Sequence, residues 1–229
     1  MHVFYLHGFA SSPKSSKAAF LAERLLSCGR TLHCPDFNLP DFSSLTTTRM
    51  IGQVQKAIDR LPPAPVALIG SSLGAFVALH VAECADRQLR SPVERLVLLA
   101  PALDFGGNRM RELGEGGLAR WRERGWLKME HYAYGETRRV HYELYADARR
   151  FDSFTTTTVA PTLILQGRHD EVVDPVTVER FAVSRPHVRL VMVNDGHQLK
   201  ASLERLWSET KAFLGLKYLA SWPPRSSLS

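Results

Sequence analysis

Three short groups of residues have the types and spacing that could activate a serine. Gly70-Ser71-Ser72-Leu73-Gly74 follows the apolar run Val66-Ala67-Leu68-Ile69 and precedes Ala75-Phe76-Val77-Ala78-Leu79. The pentapeptide is therefore expected on a tight turn between a buried strand and a buried helix, the setting of a G-x-S-x-G nucleophile elbow. Backbone must pass so close to positions 70 and 74 of such a turn that a side chain there would collide, and glycine stands at both.

A serine hydroxyl is negligibly ionised at neutral pH and needs a base. His197, in Asp195-Gly196-His197, directly follows Val191-Met192-Val193, and Asp170, in Gly167-Arg168-His169-Asp170, directly follows Leu163-Ile164-Leu165. Serine, acid and histidine thus come in the chain order of an elbow hydrolase, each in a loop after a later strand. In that arrangement His197 takes the Ser72 proton and returns it to the leaving group, while Asp170 fixes the imidazole tautomer. The developing oxyanion needs backbone donors: the N–H of Leu73, next to the nucleophile, and that of Phe9, in His7-Gly8-Phe9 after the first strand. His7 is expected to hold that loop by hydrogen bonding. Taken singly, His197 reads equally as a surface turn residue and Asp170 as a loop or capping carboxylate. Asp104, after an earlier strand, is the second choice for the acid. Asp174, before Pro175, reads as a helix N-cap, and His169 lies on the wrong loop to be the base.

Short apolar runs alternating with helical patterns imply an α/β fold, a mostly parallel sheet with helices on both faces. Strands are expected at Val3 to Leu6, Thr31 to Cys34, Val66 to Ile69, Arg95 to Leu99, Pro161 to Leu165 and Val188 to Val193. Ala18, Leu21, Ala22, Leu25 and Leu26 fall on one helical stripe that Gly29 could cap, and Met50, Val54, Ala57, Ile58 and Leu61 on another that Pro62-Pro63 ends. Loops at the carboxyl ends of parallel strands collect along one sheet edge, where functional residues should gather. Residues of roughly 103–158 separate two strands by far more than the dozen or so positions a crossover needs. With Trp121, Trp126, Tyr132, Tyr134 and Tyr142 among many charges, they are expected to form amphipathic helices of a cap over the site, or a peripheral decoration. Gly114-Glu115-Gly116-Gly117-Leu118-Ala119 only loosely fits a dinucleotide fingerprint and reads as a turn of that cap.

At 229 residues, one domain is expected over 1–218, with 219–229 a disordered tail. The apolar share of 45% and charged share of 23% are those of a globular protein, with no run long enough to span a bilayer. Met1 to Leu6 reads as a strand and not as a leader, so the expected location is cytoplasmic. Cys28, Cys34 and Cys84, an odd number without a C-x-x-C pair, suit reduced thiols, although Cys28 and Cys34 could pair. The net charge of +6 is diffuse, with basic residues interleaved among acidic ones, which argues against a nucleic-acid partner. No metal or nucleotide cofactor is implied. Lys14 and Lys17 read as solvated charges at an exposed helix start, with recognition of a phosphopantetheine or carboxylate as the alternative.

Tyr5-Leu6-His7-Gly8-Phe9-Ala10-Ser11-Ser12-Pro13, the 70–74 pentapeptide, Gly167-Arg168-His169-Asp170 and Gly196-His197 together resemble the alpha/beta-hydrolase superfamily. The opening segment, continued by Ser16-Lys17-Ala18, is most similar to small bacterial YqiA-type esterases, and the likeness runs from about residue 3 to 214 outside the insertion. It implies Ser72, Asp170 and His197 as the triad, Phe9 and Leu73 as oxyanion donors, and hydrolysis of a small or medium carboxylic ester through an acyl-enzyme. The partner would be a small-molecule ester or thioester. A thioesterase with the same triad, and a non-catalytic ligand-binding protein on the same fold, are the alternatives.

Overall fold

The computed structural model describes residues 1–88, 91–107 and 113–220. Its strands are β1 (His2–Leu6), β2 (Leu32–His33), β3 (Val66–Ser71), β4 (Val93–Leu99), β5 (Trp126–His131), β6 (Glu136–His141), β7 (Thr162–Gly167) and β8 (Val188–Val193). Six of them form one sheet in the order β2-β1-β3-β4-β7-β8, and every neighbouring pair is parallel. The helices are α1 (Ser16–Leu26), α2 (Thr47–Asp59), α3 (Leu73–Gln88), α4 (Gly114–Arg124), α5 (Glu143–Ala148), α6 (Pro175–Val183) and α7 (Leu203–Phe213).

Strand residues alternate between two cores, as the period of two demands. Phe4, Leu6, Leu68, Leu96, Leu98 and Ile164 face α2, α3 and α6, through residues such as Met50, Val54, Phe76, Val178 and Phe181. Val3, Tyr5, Ala67, Ile69, Val97, Leu99, Leu163 and Leu165 face α1 and α7, through Leu21, Leu25, Leu206 and Trp207. A sheet covered on both faces must be apolar throughout, which is why β3 and β7 are buried at every position. Local chemistry sets the helix ends. The side chains of Ser15, Thr46 and Asp174 cap α1, α2 and α6, and Pro175 opens α6.

Four expectations need correction. Leu26 is 56% exposed and lies off the buried stripe of α1, because Leu21 and Leu25 already fill the helix-to-sheet contact. The insertion is only partly helical: β5 and β6 pair as an antiparallel hairpin between α4 and α5. Trp126 therefore lies on a strand, and Tyr132 and Tyr134 lie in the turn that Gly135 closes at φ 64°. The glycine-rich 114–119 segment starts α4 instead of forming a turn. Leu219, placed in the expected tail, is bonded to the end of α1, its N–H donating to the Ser27 carbonyl at 2.9 Å; 221–229 lie outside the described residues. No disulfide joins Cys28 and Cys34. Among the described residues no helix is long and apolar enough to cross a membrane.

Candidate active site

The carboxyl ends of β1, β3, β7 and β8 lie level along one sheet edge, through registers such as Leu6 opposite Gly70 and Gly167 opposite Val193. Each releases one of the proposed functional loops. At the end of β3 the chain turns from strand to helix within one residue, with Ser72 at φ 53°, a left-handed conformation rare for a non-glycine residue. The Ser72 N–H donates to the Leu99 carbonyl at 2.9 Å, and its carbonyl accepts from Ala75 at 3.0 Å and Phe76 at 3.2 Å, so the turn is held from both sides. A Cβ at Gly70 would overlap the Gly74 carbonyl and the Ala75 backbone, and one at Gly74 would overlap the Leu6 carbonyl. Both glycines are required by close backbone approach.

Asp170 and His197 are brought together by the turns after β7 and β8. His197 Nδ1 lies 2.9 Å from one Asp170 carboxylate oxygen and 3.1 Å from the other. The same carboxylate accepts from the Val172 and Val173 N–H groups at 2.9 and 2.8 Å and from Gln166 Nε2 at 2.9 Å. Burial alone would raise the Asp170 carboxyl, but the bonds from His197, Val173 and Gln166 outweigh it and hold the group below the ordinary carboxylate range. Asp170 is thus an ionised acceptor, and Nδ1 is the imidazole nitrogen that donates to it. Asp174 bonds the Val176 and Thr177 N–H groups as an N-cap, and His169 bonds Asn194 at 2.7 Å. Asp104 lies at the start of the insertion, against Gly107.

The loop after β1 crosses directly over the elbow: a Cβ at Gly8 would lie 3.2 Å from the Ser71 carbonyl and 3.4 Å from Ser72 Cβ. His7 is buried beneath it. Its Nε2 accepts from the Phe37 N–H at 3.0 Å, which leaves Nδ1 to donate to the Gly8 carbonyl at 2.9 Å. Ser72, His197, Gly8 and Phe9 line a single cavity of about 680 Å³. Leu73 stands behind that lining as the first residue of α3, where helix N–H groups have no intrahelical acceptor.

Several residues of the site were given no individual role by the sequence. Tyr5 lines the cavity beside Ser15 and Ser71; burial pushes its phenol up to about 12 and keeps it neutral. Tyr132, Ala133 and Tyr134, from the hairpin turn, form another wall, so the insertion reaches the site. The Ala133 N–H donates to the Ala10 carbonyl at 3.2 Å. Asn38 links the buried His131 of the hairpin (2.9 Å) to the Ser11 carbonyl (2.9 Å). These contacts join positions far apart in sequence and have no local signature. Lys17, expected to be solvated, is buried against the cavity, whereas Lys14 is exposed.

Residues 2–215 match the family described as Uncharacterised protein family (UPF0227). No curated protein matches the sequence. Among solved structures, a protein of Agrobacterium vitis S4 with a provisional hydrolase designation superimposes with a TM-score of 0.82 at 24% identity, covering 93% of this chain and 87% of its own. Mouse alpha/beta hydrolase domain-containing protein 10 gives 0.78 at 20% identity, over 93% and 89%. Est1E of Butyrivibrio proteoclasticus, with ferulic acid bound, gives 0.72 at 18% identity, over 93% and 87%. At these identities the likeness shows the alpha/beta-hydrolase fold.

Proposed function

Since the chain belongs to the uncharacterised protein family UPF0227 and has the alpha/beta-hydrolase fold, we propose that it is a serine hydrolase that cleaves carboxylic esters of small or medium acyl groups. One observation carries this reading: Ser72, held in a left-handed turn, and His197, bonded to an ionised Asp170, line the same cavity. A ligand-binding protein on this fold would need neither the strained serine nor the oriented imidazole.

In the proposed reaction His197 Nε2 accepts the Ser72 proton as Oγ attacks the ester carbonyl. The N–H groups of Leu73 and Phe9 stabilise the oxyanion of the tetrahedral intermediate. The intermediate collapses to an acyl-Ser72 ester as the imidazolium returns its proton to the departing alkoxide. Water, deprotonated by the same imidazole, then releases the acid and restores Ser72. Asp170 stays ionised throughout and stabilises the imidazolium.

Labelling with a fluorophosphonate tests the nucleophile: an adduct should map to Ser72 and disappear in Ser72→Ala. Absence of an adduct from folded parent protein, or ester turnover by Ser72→Ala equal to that of the parent, would overturn the reading. The thioesterase alternative is decided by comparing an oxygen ester and a thioester of the same acyl chain.

A further inference from the structure

Lys17 is the second residue of α1, and its position has three electrostatic costs. The residue is only 8% exposed, although lysines are rarely buried without a partner. It lies at the positive end of a helix whose first turn contains no acidic residue. A second cation, Lys200, is close enough to disfavour its charge further. The ion pairs among the described residues are made by arginines and histidines, and none includes Lys14, Lys17 or Lys200. Burial pulls the Lys17 ammonium down to about 8, against the opposing effects of Asp170 and Asp195.

Those two carboxylates are engaged elsewhere. Asp170 holds His197, and Asp195 accepts from the Gly196 and Ser202 N–H groups at 2.8 and 2.9 Å. All three lysines line the cavity that contains Ser72 and His197. The cavity's acidic member, Asp36, accepts from the Asn38 backbone and side chain at 3.0 and 2.9 Å and lies 3.5 Å from His7. A buried, unpaired cation on a cavity wall is stabilised when a ligand supplies the counter-charge.

We propose that Lys17, with Lys14 and Lys200 at its sides, forms an anion subsite, so that the acyl donor cleaved here carries a carboxylate or phosphate group. The subsite rests on the hydrolase reading of the same cavity and narrows it to anionic substrates. The recognised chemistry is an oxyacid anion with several acceptor oxygens. It can lie in the acyl part or in the leaving group, and the test separates the two.

The experiment compares kcat/KM within two matched pairs. Para-nitrophenyl butanoate against para-nitrophenyl hemiglutarate adds a carboxylate to the acyl part. S-butanoyl pantetheine against S-butanoyl phosphopantetheine adds a phosphate to the leaving group. The charged member of at least one pair should be favoured by about tenfold. That preference should fall at least threefold in Lys17→Met and largely survive in Lys17→Arg. The exposed Lys200→Met gives a second reading should Lys17→Met not fold. A preference within one pair identifies the anion and its side; no preference in either, or one untouched by both substitutions, overturns the proposal. Should even the neutral esters go unhydrolysed and Ser72 form no adduct, the hydrolase reading fails by itself. The subsite is then read from melting temperature with glutarate and with inorganic phosphate. A rise lost in the lysine variants supports it, and no rise with either anion overturns it.

Discussion

At the scale of single residues, the environment of Asp170 separates it from the other acids considered. Asp104 and Asp174 also follow strands or precede helices, but Asp170 is the carboxylate bonded to the imidazole. Asp170→Asn should lower ester turnover by about four orders of magnitude, because the amide no longer fixes the tautomer or stabilises the imidazolium. Asp104→Asn should retain most of the activity, and stopped-assay rates on an activated ester check both. The pair also predicts a pH dependence of stability. Asp170 is held below its ordinary value in the folded state, so its contribution is full above about pH 4, the unfolded value. It is lost as pH falls through the lowered folded value. In urea titrations between pH 5 and pH 2 the parent should lose more stability than Asp170→Asn. Equal slopes would show that the carboxylate gains nothing from its partners.

At the scale of elements, the β3–α3 elbow and the β5–β6 hairpin were legible to different degrees. The elbow announces itself locally, since glycines at 70 and 74 answer clashes with backbone nearby. Gly74→Ala should cost more than about 3 kcal/mol or prevent folding, because the obstacle is the β1 backbone, which cannot rotate aside. Gly116→Ala is the contrasting case. A Cβ there meets only the flexible end of Arg120 at 3.5 Å, in an exposed helix. It should raise stability by about 0.5 kcal/mol by restricting the unfolded chain; thermal melts of the two variants decide between these signs. The hairpin was hidden because its aromatic residues fit helical and extended patterns alike in so short a stretch. Gly125 at φ 76° and Gly135 at φ 64° mark where α4 ends and the turn closes.

At the scale of the whole molecule, the insertion shares a core with the sheet. Trp121, Val140, Leu144 and Ala148 belong to the same cluster as Phe4, Leu68 and Phe76. Trp121 also donates through Nε1 to the Val140 carbonyl at 3.1 Å, tying α4 to β6. Asp147 of α5 accepts from the Thr48 N–H and hydroxyl, each at 2.7 Å, tying the insertion to α2. Insertion and sheet should therefore melt in one calorimetric transition. Trp121→Ala should lower the stability of that whole transition by about 3–5 kcal/mol. A separate low-temperature transition in the variant would instead mark the insertion as an independent unit.

Periodicity and close-range chemistry made much of the protein legible from its residues. The strands of the main sheet, the capped start of α6, the elbow and the order of Ser72, Asp170 and His197 all depend on neighbours within a few positions. Strand-end placement then brings the three loops to one edge, because parallel strands end their loops together. Tertiary structure decided what depends on partners far away in the chain. It bonded Asp170 rather than Asp104 to His197, carried the 132–134 turn to the site, and buried Lys17 beside Lys200. Each outcome depends on how loops pack across the sheet edge, and a residue's sequence neighbours do not encode which side chain will cover it.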